Sequence, residues 1–549
     1  MKLSIGFTIV GFFLLMPILA FQGEEARPSG ESDIKISPFV FAQLEALRLR
    51  SGQRAAVDVI VMNKPGVRIR SLPPRARALP LINGYQARLD ERQLRALERS
   101  QDVHFVALNA TVRSTRAEDP GRVRDETRPT LNHMVQSVGA DRTGLTGRGV
   151  TVAVFDSGIA FHQDLAGRIL GSVDFTQSGE VRTGPGGFDP HGHGTHVAGI
   201  VAGNGMASSG FYRGVAPQAD LLDVRVVGED GFGQIDNLVA AMQWVIDHKD
   251  EFNVRVANLS LGAPPLQPAD QDPLCLAARA MVRAGIATVV SAGNFGSIPD
   301  YPVVYGAITS PGLEPSVITV GPSDTNGTLT HRDDRPTVFG SRGPTVDGLL
   351  KPDLIAPGRR VISTLARGSH LEQVLPDRIH GTDYLRMSGS SMATPFVSGS
   401  IAQILEANPD LNPIAVKVLL LATAVKMESP EFDLLESGNG GLNTMIAARA
   451  AQSLALPEGV FRQPVAPFWN LSNGERVWAG GAFIWGTRLI VTDLVGDDAP
   501  RTSAWADKLS WDGSARWLNL FQSPDHWGQG LFDSDSVQWI DSVQWIDSV

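Results

Sequence analysis

Across 549 residues the chain holds a single cysteine, Cys275, so no disulfide can form within it. Stability has to come from packing or from bound ions instead. Cys275 lies in the apolar, helix-like stretch Pro273-Leu274-Cys275-Leu276-Ala277. No histidine-bearing motif flanks it, so it reads as a buried small hydrophobe and not as a nucleophile. Positive charge is also short: 48 Lys and Arg against 58 Asp and Glu leave a formal charge of −10. With no basic stripe to offset that deficit, nucleic acid is not expected as a partner. Beyond residue 21 no apolar run is long enough to cross a bilayer. What is present is globular, with 43% hydrophobic and 19% charged residues. The length exceeds what one hydrophobic core organises, so two or three domains are expected.

The first residues, Met1-Lys2-Leu3, lead into a nearly unbroken apolar run to Phe21 and then to polar Gln22-Gly23-Glu24-Glu25. That order fits a secretory signal peptide over 1–23, with an uncleaved anchor as the rival. The expectation is an extracellular protein, in the periplasm or at a cell surface as variants of that, with no stable membrane insertion once the signal is removed. Residues 24–125 contain strand-like runs at 57–62 and 103–108 and a helix-like run at 91–97, a small α+β pattern. A charged stretch at 116–122 reads as an exposed linker. From 126 to 455 short apolar strands alternate with helical stretches. Strands apolar on nearly every residue are buried on both faces, which predicts an α/β domain with a doubly wound parallel sheet flanked by helices. Such sheets carry their sites at the C-terminal ends of strands. The remainder, 456–549, holds nine of the ten tryptophans and a repeated Asp-Ser-Val-Gln-Trp-Ile.

Three segments of the α/β region each place a reactive group at an element end. A buried strand terminates in the carboxylate of Asp156, within Val154-Phe155-Asp156-Ser157-Gly158. In His191-Gly192-His193-Gly194-Thr195-His196, small residues let a helix start close to neighbouring backbone and hold an imidazole there. In Ser388-Gly389-Ser390-Ser391-Met392, Ser391 falls at a helix N-terminus, where the dipole and free N–H groups favour developing negative charge. Taken singly, these are a turn aspartate, a zinc-like histidine cluster and a serine cap. Together they are the parts of one chemistry. Serine needs a neighbouring base, imidazole is that base, and a carboxylate fixes its tautomer.

The stretches FDSG, HGHGTHVAG, NLSLG, SAGN, KPDLIAPG and GSSMATP, in this order, resemble the motif set of bacterial subtilisin-like serine peptidases (subtilases, peptidase family S8). The order Asp, His, Ser is also that of subtilisin. The resemblance covers about 149–452. It implies a secreted serine endopeptidase made as a zymogen, with Asp156, His193 and Ser391 as the triad and Asn294 as an oxyanion-hole side chain. It implies that Ser260-Leu261-Gly262 and the edge around Gly231 and Gly233 bind an extended peptide by strand addition. Residues 24–125 resemble the family's propeptide, an inhibitor and folding aid whose release falls between about 110 and 130. Protein or peptide substrates and the chain's own propeptide are thus the expected partners.

No cofactor is needed for this chemistry. A structural calcium ion is left open by Asp164, in a segment resembling a calcium-binding one, although the usual partner loop is altered at Gly203–Gly210. Position 390 carries Ser where Thr is commoner, and Phe396 stands where His is commoner. A catalytically silent peptide-binding homologue is the alternative, and a histidine-rich metal protein a more distant one. The tryptophan-rich extension suits a packing, adhesive or carbohydrate-stacking role equally.

Overall fold

In the computed structural model the chain is described over residues 35–453, apart from short internal segments, and over strand segments between 468 and 491. Its N-terminal block follows from strict alternation. In β1 (Ala56–Asn63), Val57, Val59 and Val61 face one side, and Ile60 and Met62 the other; both sets are buried. The first face is covered by α1 (Pro38–Ser51) through Val40 and Leu44 and by α2 (Glu91–Glu98) through Leu94. A capping box starts α2, with Asp90 Oδ1 accepting from Gln93 N–H and Gln93 Oε1 from Asp90 N–H, both at 2.9 Å. With β2 (Arg77–Leu79), β3 (Gly84–Asp90) and β4 (Val103–Leu108), β1 forms an antiparallel sheet of order β2-β3-β1-β4. β5 (Thr111–Ser114) then leaves this sheet and joins another.

The second layer is a sheet of nine strands among the described residues. Eight follow in the spatial order β15-β14-β13-β11-β6-β9-β7-β8, and β16 adds on to β14. These are β6 (Thr151–Asp156), β7 (Ile169–Asp174), β8 (Arg182–Gly184), β9 (Asp220–Arg225), β11 (Val254–Leu259), β13 (Ala287–Ser291), β14 (Ile318–Asp324), β15 (Arg335–Pro336) and β16 (Leu354–Pro357). Two short strands, β10 (Phe232–Gln234) and β12 (Leu261–Gly262), lie outside it, one on each side of β5. All pairings of the large sheet are parallel except those of the edge strands β8 and β15. In β6, Val152 and Val154 join one hydrophobic core, and Ala153 and Phe155 the other, so both faces need cover.

Short α3 (His133–Ser137), α4 (His193–Ala202), short α7 (His370–Val374), α8 (Ser390–Ala407) and α9 (Pro413–Thr423) contribute to the first core; α5 (Ile235–His248) and α6 (Pro273–Arg283) contribute to the second. Every residue of α8 from Ser390 to Leu405 is buried, the condition of a helix enclosed on all sides. Cys275 is fully buried in α6. The doubly wound arrangement matches the fold class expected from the sequence. β6 lies beside β11, and the chain turns from one half of the sheet to the other between them, which is where such sheets bind ligands.

The second face of the N-terminal sheet, with Ile60, Met62, Phe105 and Ala107, merges into the core of α5 and α6. At its rim Arg77 Nη1 donates to Asn237 Oδ1 at 2.6 Å, and Asn109 both donates to and accepts from Asp236. Helix α1 was not anticipated from sequence. In the C-terminal region Phe468–Asn470 pairs antiparallel with Arg476–Trp478, and Ala482–Trp485 with Arg488–Val491. The signal segment 1–23, the linker 116–122 and the six-residue repeats lie outside the described residues.

Candidate active site

Strand β6 ends on Asp156, and α4 begins on His193 because Gly194 lets the two approach. A Cβ at Gly194 would fall 2.2 Å from the Gly158 carbonyl oxygen and 3.0 Å from Asp156 Cβ. His193 Nδ1 consequently sits 2.7 Å from Asp156 Oδ1, with both side chains fully buried. The carboxylate holds the Nδ1 proton and leaves the lone pair at Nε2 free to act as a base. Nε2 is buried and has no hydrogen-bond partner among the described residues.

The start of α4 is held by a residue not singled out from sequence. Asp189 accepts from Ser157 Oγ and Gly192 N–H on one oxygen, and from Thr195 N–H and Oγ1 on the other. Burial nevertheless lifts its carboxyl above the usual range. The other histidine of this helix is committed elsewhere: His196 Nε2 contacts the Leu385 carbonyl at 2.8 Å, and burial drives its pKa down to about 3. The described residues contain no group of three or more His, Cys, Asp or Glu able to hold a metal, so the histidine cluster is not a zinc cage.

Ser391 enters α8 after Gly389, whose φ of 149° is closed to other residues. Pro395 has no N–H to offer the Ser391 carbonyl four residues back. That carbonyl accepts from Ser260 Oγ at 2.9 Å, while Ser391 Oγ lies 2.9 Å from the Ser260 carbonyl. The proline thus leaves open the acceptor that ties the serine to the end of β11. Asn294 is set by Ser390, whose N–H donates to Asn294 Oδ1 at 2.9 Å, and Gly293 N–H donates to Ser390 Oγ at 3.2 Å. This turns Asn294 Nδ2 toward the cleft.

The cleft is filled by the chain itself. β5 pairs antiparallel with β10 on one side, through Phe232 and Gly233, and with β12 on the other, through Leu261 and Gly262. Further bonds run from Ser114 N–H to the Gly231 carbonyl and from Thr115 N–H to the Ser260 carbonyl. The Thr115 carbonyl oxygen accepts from Asn294 Nδ2 at 2.5 Å and from Ser391 N–H at 3.3 Å. Its hydroxyl lies 2.7 Å from Ser391 Oγ and 2.8 Å from Ser291 Oγ. Asn294, Ser391, Ser260, Leu261, Gly262, Gly231 and Gly233 therefore surround one short strand, and the Asp156–His193 pair stands at the end of the adjoining β6. Thr115, Ser390 and Ser291 were not anticipated, because an ordinary Thr or Ser carries no local signal for such a contact.

Asp164 is buried at a different place. Its Oδ1 accepts from Ala207 N–H at 2.8 Å and its Oδ2 from the Tyr384 hydroxyl at 2.7 Å. Each oxygen thus already accepts one protein hydrogen bond, and among the described residues no group of three or more His, Cys, Asp or Glu gathers there. No step of the chemistry involves it.

Residues 147–505 match the model of the subtilase family, peptidase S8. The chain is 44% identical to the serine protease AprX of Bacillus subtilis over half of its own length and 61% of that protein. It is 32% identical to subtilisin Savinase of Lederbergia lenta over 57% of its length and 96% of that protein. Fervidolysin from Fervidobacterium pennivorans, a keratinolytic enzyme related to subtilisin, superposes with a TM-score of 0.52 at 22% identity, covering 74% of this chain and 62% of that one, and so shares the fold. With its parallel sheet, the Asp156–His193 pair at a strand end and Ser391 at the head of a buried helix, the chain belongs to the subtilase family of serine endopeptidases.

Proposed function

We propose that the protein is a secreted serine endopeptidase synthesised as a zymogen, with Asp156, His193 and Ser391 as its triad and its own Thr115–Arg116 bond as first substrate. The observation that carries this reading is the Thr115 carbonyl, held between Asn294 Nδ2 and Ser391 N–H while β5 is paired on both edges. Two convergent donors on a carbonyl beside a serine form an oxyanion hole, and the residue they hold precedes the bond to be cut.

In the reaction Ser391 Oγ attacks that carbonyl carbon as His193 Nε2 takes the hydroxyl proton. The negative oxygen is stabilised by Asn294 and the Ser391 amide. The C–N bond then breaks, the amine leaves with the proton from His193, and water releases the acyl group by the same steps in reverse. In the arrangement seen here, Ser391 Oγ faces Thr115 Oγ1 and the Ser260 carbonyl, an inhibited geometry in keeping with a zymogen. Because the strand is gripped through its main chain, substrates are extended segments of proteins. The apolar N-terminal run supports export.

The test is labelling with a fluorophosphonate. The purified protein is expected to take up the reagent at Ser391 and Ser391→Ala to take up none. Equal labelling of both would defeat the assignment.

A further inference from the structure

We infer that the first specificity pocket of this peptidase is built for a small hydroxyl-bearing side chain, threonine or serine, with Ser291 reading the hydroxyl and Thr309 setting the depth. This rests on the peptidase reading above and adds the substrate class to it. With its carbonyl in the oxyanion hole, Thr115 is the residue before the scissile bond, and its side chain occupies the pocket that decides specificity. Thr115 is 7% exposed, and its hydroxyl lies between Ser391 Oγ at 2.7 Å and Ser291 Oγ at 2.8 Å. Thr115 Oγ1 donates to Ser291 Oγ at 2.8 Å, and Ser291 Oγ donates onward to the Leu261 carbonyl at 3.1 Å. Ser291 therefore offers its free lone pair to a donor in the pocket. An aliphatic occupant would leave that lone pair facing carbon.

Depth is limited by a second residue. The walls of the pocket are Ser260–Gly262, which pairs with β5, and Ser291–Gly293, which leads into Asn294. Thr309 stands between them, 1% exposed. A Cβ placed on Gly262 would lie 2.4 Å from Thr309 Oγ1, and one on Gly293 would lie 2.8 Å from Thr309 Cγ2 and 2.7 Å from Ser341 Oγ. Both walls are thus glycine where Thr309 meets them, and its side chain fills the space between. Its hydroxyl is 3.3 Å from the Ala292 carbonyl, which favours the orientation seen. An aromatic or long aliphatic side chain extending from the position of Thr115 would need that volume.

The experiment uses the enzyme after cleavage at Thr115 and removal of the N-terminal segment, with peptides Val-Arg-Ser-X carrying a fluorogenic amide and X as Thr, Val or Phe. Thr is expected to exceed Val about tenfold in kcat/KM, mainly through KM, because the contact exists before reaction. Thr should exceed Phe by about a hundredfold or more. Ser291→Ala should bring Thr and Val level, and Thr309→Gly should raise turnover of the Phe peptide at least about tenfold. Phe cleaved as well as Thr by the wild-type enzyme would overturn the proposal without recourse to any variant. If the protein labels with fluorophosphonate and cuts all three peptides alike, this inference fails and the peptidase reading stands. If it neither labels nor cuts, both fall.

Discussion

Helix α8 begins at Ser390–Ser391 and strand β5 leads to Thr115 against the same serine, and the two are held there in opposite ways. α8 is enclosed on every side from Ser390 to Leu405 and is tied to β11 and β13 through Ser260, Asn294 and Ser390. β5 is four residues long and is held by main-chain bonds to β10 and β12. The helix is part of the sheet's own packing and cannot leave without unfolding it. The strand contributes backbone, which any extended peptide also has, so on the proposed reading it is exchanged once the bond after Thr115 is cut. The proposed nucleophile then sits on the element that cannot move, and the occupant of the cleft on one that can.

The fixed side can be probed away from the chemistry. Asp223, buried in β9 against Ser172 Oγ, has its pKa lifted to about 7 by desolvation, against an unfolded value of 3.8. A raised carboxyl pKa means that the folded state holds its proton more tightly. The associated stability is full below the unfolded value and is lost as pH rises through 7. Asp223→Asn cannot ionise, so the variant should gain stability relative to wild type between pH 4 and 7, by up to about 4 kcal/mol. Thermal unfolding of both proteins in a Ser391→Ala background, at several pH values, would show it; a constant difference across that range would contradict it.

Loss of one donor in the hole comes next. Asn294→Leu should lower kcat by about a hundred- to a thousandfold with little change in KM, the scale known for subtilisin. Steady-state kinetics on a peptide amide would check it, and an unchanged kcat would remove Asn294 from the oxyanion hole.

The exchangeable side should respond more weakly. Arg77 anchors the N-terminal block to the start of α5 through Asn237 at 2.6 Å and Asp236 at 3.4 Å. Arg77→Ala in a separately added 24–115 segment should weaken its inhibition of the mature enzyme about three- to tenfold. An unaltered inhibition constant would mean that β5 and the apolar face of the block suffice alone.

The same contrast explains what was legible in the sequence. β6, β11 and β13 are apolar on nearly every residue, and Asp156, His193 and Ser391 each stand where a pattern changes, so strand ends and helix starts could be located. Asn294 and the Ser260–Gly262 and Gly231–Gly233 segments came from resemblance, and the structure gathers them around β5. Thr115 could not be found in that way. Thr111–Ser114 has no distinctive pattern, and its partners lie more than a hundred residues away. Asp189 and Thr309 act only through contacts that tertiary packing creates. The calcium expectation at Asp164 rests on a short local match, and the contact of its carboxylate with the distant Tyr384 carries no local signal.

Cleavage of the chain after Thr115 by Ser391 is tested most directly by N-terminal sequencing of the exported protein beside Ser391→Ala. The wild-type protein should begin at Arg116, or at a later residue if the new terminus is trimmed, and the variant should retain 24–115 uncut. Cleavage of the variant at the same bond and the same rate would show that another nucleophile does the work.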